Sequence, residues 1–173
     1  MGTQWLDEDE LVAWVRLASV MELLPGVLDS QLRRDAELMH YEYFVLAMLS
    51  EAPQRTLRMT ALAARTNATP ARLSHVVRRL EDRDFIERFP CPHDARVTNA
   101  RLTGAGFDKV RNAAPGHVAT VRRTVIDALT TKQVHHLAEI GEAILGRLDP
   151  EGTMSTAPYL ADRAARVGSK SRR

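Results

Sequence analysis

The chain is short of several things, and each shortage narrows what it can be. It holds one cysteine, Cys91, so no internal disulfide can form, and a disulfide-stapled secreted scaffold is excluded. Aromatic residues are only 5% of the 173 residues, and most segments are rich in Ala, Leu, Arg and Glu, a composition that leans helical. No uninterrupted apolar run approaches the roughly 20 residues that cross a bilayer. No charged start followed by an apolar stretch marks a secretory signal. A soluble, cytoplasmic protein with no membrane association is therefore expected. There is also no nucleophile elbow, P-loop, glycine-rich dinucleotide fingerprint or recognisable carboxylate pair, so no enzymatic activity and no cofactor are expected. His135 and His136 are adjacent and face different directions on a helix, His40 and His117 are scattered, and no metal-ligand spacing appears.

What is present is a chain with 45% hydrophobic residues, enough for one domain with a real core. Its net charge of +2 conceals an asymmetry. Residues 1–54 carry 3 basic against 10 acidic side chains, whereas residues 55–101 carry 10 basic against 5 acidic. Residues 102–150 are nearly balanced, and residues 151–173 carry 5 against 2. A basic segment attracts polyanions even in a nearly neutral molecule. A solvated arginine-rich face explains charge alone equally well, so the pattern must decide.

The pattern along the chain is mainly helical. Asp7, Glu8, Asp9 and Glu10 suit a helix start, and a long first helix is predicted over 7–33. Its stripe is Leu11, Val15, Ala18, Met21, Leu24, Leu28 and Leu32, with Pro25-Gly26 expected to kink or break it. A second helix is read over 41–49, a short strand over 56–59 and a short helix over 60–66. Thr69 then reads as an N-cap with Pro70 at the first helical position, opening a helix to about Arg83. Residues 85–89 and 97–102 read as a hairpin with a long tip between them. Thr103 caps a helix to about Thr124, with Pro115-Gly116 inside it again expected to kink or break it. Thr130 and Gln133 have capping-box spacing and start a last helix with the stripe Val134, Leu137, Gly141, Ile144, Leu145 and Leu148. From Asp149 the periodicity stops, and a largely disordered basic tail is expected.

The stretch "ATPARLSHVVRRLEDRDF" (68–85) carries the functional argument. Leu73, Val76, Val77 and Leu80 fall on one helical face, while Arg72, His75, Arg78 and Arg79 fall on the others. A preceding short helix about three residues away makes the pair a helix-turn-helix. The apolar stripe anchors the second helix, and its outer face is free to enter a major groove, where arginine can pair bidentately with guanine. A basic hairpin directly afterwards is a wing, placed to reach phosphate or minor groove.

In these residues the sequence resembles the MarR family of winged-helix regulators. "MTALAARTNATPARLSHVVRRLEDRDFIER" matches that family's helix-turn-helix, "CPHDAR" with Asp94 and Arg96 its wing, and "ARLTGAGFDKV" with Leu102, Thr103 and Gly106 its passage out of the wing. The resemblance covers about residues 5–148. It implies a mainly α fold with a small β-hairpin wing, assembled as a triangular homodimer. Residues 1–40 and 103–148 would supply dimerisation helices, residues 41–102 the DNA-binding lobe, and residues 149–173 the basic tail. It implies a repressor of nearby genes on a palindromic operator of double-stranded DNA, with affinity modulated by a small-molecule effector. Carried over residue by residue, Arg72, Ser74, His75 and Arg78 contact base edges or lie near them, and Thr69 and Arg79 contact phosphate. Arg96 approaches the minor groove, oriented by a salt bridge to Asp94. Three departures stand out. Asp84 occupies a usual glycine position, Ala95 replaces a common second arginine at the wing tip, and Pro25-Gly26 interrupts the first helix.

Other constellations carry weaker readings. Trp14, His40, Tyr43 and His117 could line an effector pocket of aromatic walls and polar handles, or simply pack at the dimer base. Cys91, in the wing beside His93, could be an oxidation switch or an incidental thiol. The tail "LADRAARVGSKSRR" could add nonspecific DNA affinity or be inert. The competing class for the whole chain is a helical protein-interaction module with only nonspecific nucleic-acid affinity.

Overall fold

A computed structural model describes residues 2–92 and 94–154. Six α-helices and three short strands follow one another: α1 Glu8–Ala36, α2 His40–Ser50, β1 Thr56–Arg58, α3 Met59–Arg65, α4 Pro70–Glu81, β2 Ile86–Cys91, β3 Asp94–Leu102, α5 Gly104–Thr124 and α6 Thr131–Leu148. His93 and the tail from residue 155 lie outside the described residues, and so do the readings placed on them.

The helix starts are written locally. Asp7 and Glu10 close a capping box on α1, each side chain accepting the other's backbone N–H at 2.9 Å. Thr69 caps α4 by accepting from Arg72 N, and Thr130 with Gln133 boxes α6. Each such cap contributes about 1 kcal/mol to its helix.

Neither proline breaks its helix. Pro25 sits inside α1 and Pro115 inside α5, both helices running on without interruption. Both prolines are exposed, so the carbonyl each leaves unbonded one turn earlier can be satisfied by water. Packing of Leu28, Gln31, Leu32 and Ala36 beyond Pro25 then holds the second half of α1. The wing also departs from the expected hairpin. The strands reach Cys91 on one side and start at Asp94 on the other, so the tip is short rather than long. β3 lies between β1 and β2, all antiparallel, with Leu57 opposite Ala100 and Ile86 opposite Leu102. Pro90 is accommodated because β2 is an edge strand, where its missing N–H removes no ladder bond. An irregularity between Pro90 and Cys91 shifts the register.

The core joins the second half of α1 to the lobe. Leu32, Leu38, Val45, Leu46, Leu49, Leu62, Leu73, Val77, Leu80 and Ile86 are fully or almost fully buried in one cluster. The rest of the predicted stripes stay open. Leu11, Val15 and Met21 of α1 and Leu137, Ile144 and Leu145 of α6 are exposed, and α6 buries nothing within the chain. α1 also holds an 18-residue window of mean hydropathy 1.6 with no more than two charges, long and apolar enough by composition to cross a membrane. Arg16 and Glu22 interrupt that window, which is why no unbroken apolar run shows in the sequence.

Candidate nucleic-acid interface

α3 and α4 meet at a tight corner. Asn67 takes a left-handed backbone with φ 47°, and Ala68 N–H returns to Ala63 O at 3.0 Å. α4 then presents Leu73, Val76, Val77 and Leu80 to the core, as the sequence periodicity predicts. Thr69, Arg72, Ser74, His75 and Arg78 are exposed on the other side. The start of α4, with Thr69 and Pro70 exposed, opens toward the same solvent-facing surface.

The two arginines at the ends of this face are held differently from each other. The Arg72 guanidinium lies 4.3 Å from the centroid of the Tyr41 ring, a cation–π contact. Tyr41 in turn donates its hydroxyl to Thr66 Oγ1 at 3.0 Å, tying α2 to the end of α3. Arg78 makes no ion pair among the described residues.

Arg79 points elsewhere. Its Nη2 donates to Glu42 Oε1 and lies 2.8 Å from Met39 Sδ. Glu42 is 4% exposed, so the guanidinium is drawn back against α2 rather than held out with Arg78. The expectation that Arg79 serves phosphate takes no account of this partner, because Glu42 lies 37 positions away in sequence. Four of the ten arginines in 55–101 are in fact engaged by carboxylates: Arg79 and Arg83 with Glu42, Arg88 with Glu81, and Arg101 with Glu87. Arg55, Arg58, Arg65, Arg72, Arg78 and Arg96 have no carboxylate partner among the described residues.

In the wing, Asp94 does not form the expected salt bridge to Arg96. Its Oδ1 accepts the backbone N–H of Arg96 at 3.0 Å instead. A short Asp side chain next to a tight tip reaches a backbone donor two residues on more readily than a long guanidinium. Arg96 is exposed, and Cys91 is half-buried with a free thiol. Asp84, in the usual glycine position, takes the left-handed conformation at φ 58°, which Asp tolerates better than most residues.

Behind the lobe, three of the four proposed pocket residues do come together. The His117 ring stacks on His40 at 6.2 Å between centroids and tilts against Tyr43 at 4.7 Å. Burial pushes the His40 imidazole below its ordinary range, partly opposed by Asp29. Burial first, and then the charge His40 would carry, lower His117 likewise. Trp14 is not among them. It stands on the first half of α1, 52% exposed. Gln31, which sequence reasoning did not single out, is 3% exposed there, with Nε2 donating to Asp35 Oδ2 at 3.0 Å and no partner for Oε1. His117 Nδ1 is also buried without a partner. Among the described residues, no group of three or more His, Cys, Asp or Glu side chains is placed to hold a metal ion.

A short helix pair with a polar, basic outer face, followed by a three-stranded sheet with a projecting hairpin, defines a winged helix-turn-helix DNA-binding protein. The MarR family model matches residues 38–98. Sco3205 of Streptomyces coelicolor, a MarR-family transcriptional regulator solved in complex with DNA, is 42% identical, with 86% of this chain and 93% of that one covered at a TM-score of 0.82. AbsC of the same organism, another MarR-family regulator, is 35% identical, with 84% and 98% covered at a TM-score of 0.79. The chain belongs to the MarR family of DNA-binding transcriptional regulators. CouR of Rhodococcus jostii RHA1, solved bound to p-coumaroyl-CoA, shares the fold at 20% identity and a TM-score of 0.68, with 86% and 97% covered. No curated protein matches the sequence. Family members are transcription regulators, not enzymes.

Proposed function

We propose that this regulator is a homodimeric repressor that reads a palindromic operator with α4. The observation that carries the reading is the free outer face of α4, where Arg72, Ser74, His75 and Arg78 all lie exposed while the opposite face is fully buried. These four side chains contact or flank base edges. Thr69, at the helix start, contacts phosphate through its backbone N–H or hydroxyl. Arg79 is removed from the phosphate set because Glu42 engages it. Arg96, which has no carboxylate partner among the described residues, approaches the minor groove from the wing. The DNA complex of Sco3205, at 42% identity, supports the same use of the fold here.

The second copy covers the apolar residues left open on α1 and α6, Leu11, Val15, Met21, Ile140 and Leu145 among them. A helix that is apolar over much of its surface needs a partner, and a second identical chain supplies the same stripe by symmetry. This also accounts for the hydropathy of α1 without a membrane and keeps the dimer in the cytoplasm with its DNA. Segments 1–40 and 103–148 are then the dimerisation region, and 41–102 is the reading lobe.

An effector binds at the corner of α1, α2 and α5. His40, Tyr43 and His117 supply aromatic walls, and the unpartnered Gln31 Oε1 and His117 Nδ1 supply polar handles. The aromatic acyl group in the CouR complex suits the same wall chemistry. Selection of duplexes from a random pool tests the whole reading. The expected result is a palindromic consensus with half-sites about 10 base pairs apart, centre to centre. Recovery of no consensus contradicts it and favours an interaction module with nonspecific affinity.

A further inference from the structure

Glu42 stands out among the charged groups. It is one of the few buried polar residues, and it lies outside the DNA-reading face. Its two carboxylate oxygens gather three elements at one point. Oε2 accepts the Met39 N–H at 2.9 Å, closing the start of α2. Oε1 accepts from Arg79 on α4. Arg83, just beyond α4, places Nη1 3.8 Å from Oε2 and donates Nη2 to Glu37 O at 3.0 Å. Glu37 is the residue that ends α1, with a left-handed backbone at φ 51°. Arg83 also lies 4.8 Å over the Phe85 ring, at the entrance to the wing.

The C-terminal half of the reading helix is therefore fastened to the corner between α1 and α2. That corner is the connection from the lobe to the exposed apolar first helix. Glu42 is buried while Arg79 and Arg83 stay partly exposed, so it is loss of the arginines that would leave a charge unpaired in a low-dielectric setting. Glu42 also does a second thing. It draws two arginines away from a basic segment in which six others have no carboxylate partner among the described residues. An arginine drawn toward a buried carboxylate has part of its charge offset and fewer of its N–H donors left for phosphate.

We propose that Glu42 is a positioning residue for DNA recognition. It fixes α4 against the α1–α2 corner and masks Arg79 and Arg83 from phosphate, thereby raising the ratio of specific to nonspecific binding. The proposal rests on the DNA-reading function above and extends it to a residue that need not touch DNA. It predicts a pair of effects with opposite sign. Removing the Glu42 charge loosens the reading helix, which weakens specific binding. The same change releases two cations, which strengthens nonspecific binding. A role confined to stability would weaken both together.

The test uses the full chain and the duplex that the wild-type protein selects from a random pool, with a shuffled duplex of equal length for comparison. Wild type, Glu42→Gln and Arg83→Gln are titrated against both at several salt concentrations, with thermal melts to establish folding. Gln keeps the size of Glu42 and an acceptor for Met39 N–H. For Glu42→Gln the expected result is a specificity ratio lowered by roughly three- to thirtyfold, inside the range of couplings seen within one ion-pair network. Its affinity for the shuffled duplex rises, and its salt slope there steepens by about 0.9 for each arginine that newly reaches phosphate. Arg83→Gln keeps Glu42 and Arg79, so it lowers the ratio less and leaves the salt slope unchanged. If Glu42→Gln is not folded, Arg83→Gln decides: an unchanged ratio overturns the proposal. Unchanged ratio and slope in a folded Glu42→Gln also overturn it, as does parallel weakening on both duplexes. A wild-type protein that selects no duplex overturns the DNA-reading function itself, and the role of Glu42 with it.

Discussion

The imidazole of His117 stacks on that of His40 with 6.2 Å between ring centroids and 25° between planes. The pair joins the middle of α5 to the first turn of α2, and both rings are held below their ordinary titration range, chiefly by burial. The unfolded chain titrates these groups near about pH 6.5. In the fold each takes up its proton less readily, so the unfolded state binds more protons below that pH. Stability therefore rises with pH across this window. It is fully present above about pH 6.5 and is lost as pH falls toward the lowered values. The nearby Asp35 carboxyl is held below its usual range by hydrogen bonds from Gln31 and Arg34.

The first prediction follows directly. The melting temperature of the wild-type protein falls on going from about pH 7.5 to about pH 5.5, and His117→Gln flattens that dependence. Melts at a series of pH values check it. Equal slopes in wild type and variant would show that the pair does not carry the effect.

The second prediction concerns the exit from the wing. A Cβ on Gly106 would lie 2.1 Å from Phe85 O and 2.8 Å from the Leu102 side chain. The same Phe85 carbonyl accepts the Thr103 N–H at 3.1 Å, and Thr103 Oγ1 accepts the Gly106 N–H at 3.0 Å. Gly106→Ala must therefore push α5 away from the sheet, at a cost of about 1–3 kcal/mol or more. Gly104→Ala, two residues earlier with open space around it, serves as the control and stays close to wild type. Chemical unfolding of both variants separates the cases. Equal stability would mean that the close approach is not maintained in solution.

That glycine illustrates what was legible in the sequence. The Leu102, Thr103 and Gly106 motif, the Thr69 cap and the Leu73, Val76, Val77, Leu80 stripe are local signals, and each element stands where its residues put it. The two Pro-Gly pairs promised a kink or a break, and neither helix breaks, because tertiary packing overrides local backbone chemistry at an exposed proline. The Asp94–Arg96 salt bridge was carried over from the family resemblance, whereas here a backbone N–H two residues away is the donor that Asp94 takes. Glu42 and Gln31 gave no signal at all. A polar residue in a helix reads as exposed unless the partner is known, and Arg79, Arg83 and Asp35 become partners only in the fold.

Asp84 provides a third prediction. Its left-handed backbone at φ 58° carries a carbonyl that accepts the Thr103 hydroxyl at 2.6 Å. Asp84→Gly retains the turn with stability near that of wild type, whereas the β-branched Asp84→Val loses about 1–2 kcal/mol to backbone strain. Denaturant midpoints for the two variants check the order. A Val variant as stable as the Gly variant would contradict it.

The open apolar faces yield a fourth. Ile140 and Leu145 on α6 are 56% and 50% exposed within one chain. Sedimentation of the wild-type protein is expected to give a dimer, and Ile140→Asp combined with Leu145→Asp a monomer that keeps a folded lobe, since α6 contributes nothing to the buried core. A charged pair in a buried interface loses several kcal/mol of association energy. A monomeric wild type, or a dimeric variant, would show that these faces do not meet.

The most direct measurement of the central claim is fluorescence anisotropy of a selected duplex with wild type and Arg78→Ala, each with and without excess unrelated competitor at two salt concentrations. Arg78 is exposed on α4 and has no carboxylate partner among the described residues. The account predicts that wild-type binding survives competitor. It predicts that Arg78→Ala weakens specific binding by about 1–3 kcal/mol per half-site while nonspecific binding changes little. Equal discrimination by the two proteins, or wild-type binding that vanishes with competitor, would contradict the claim that this helix reads sequence.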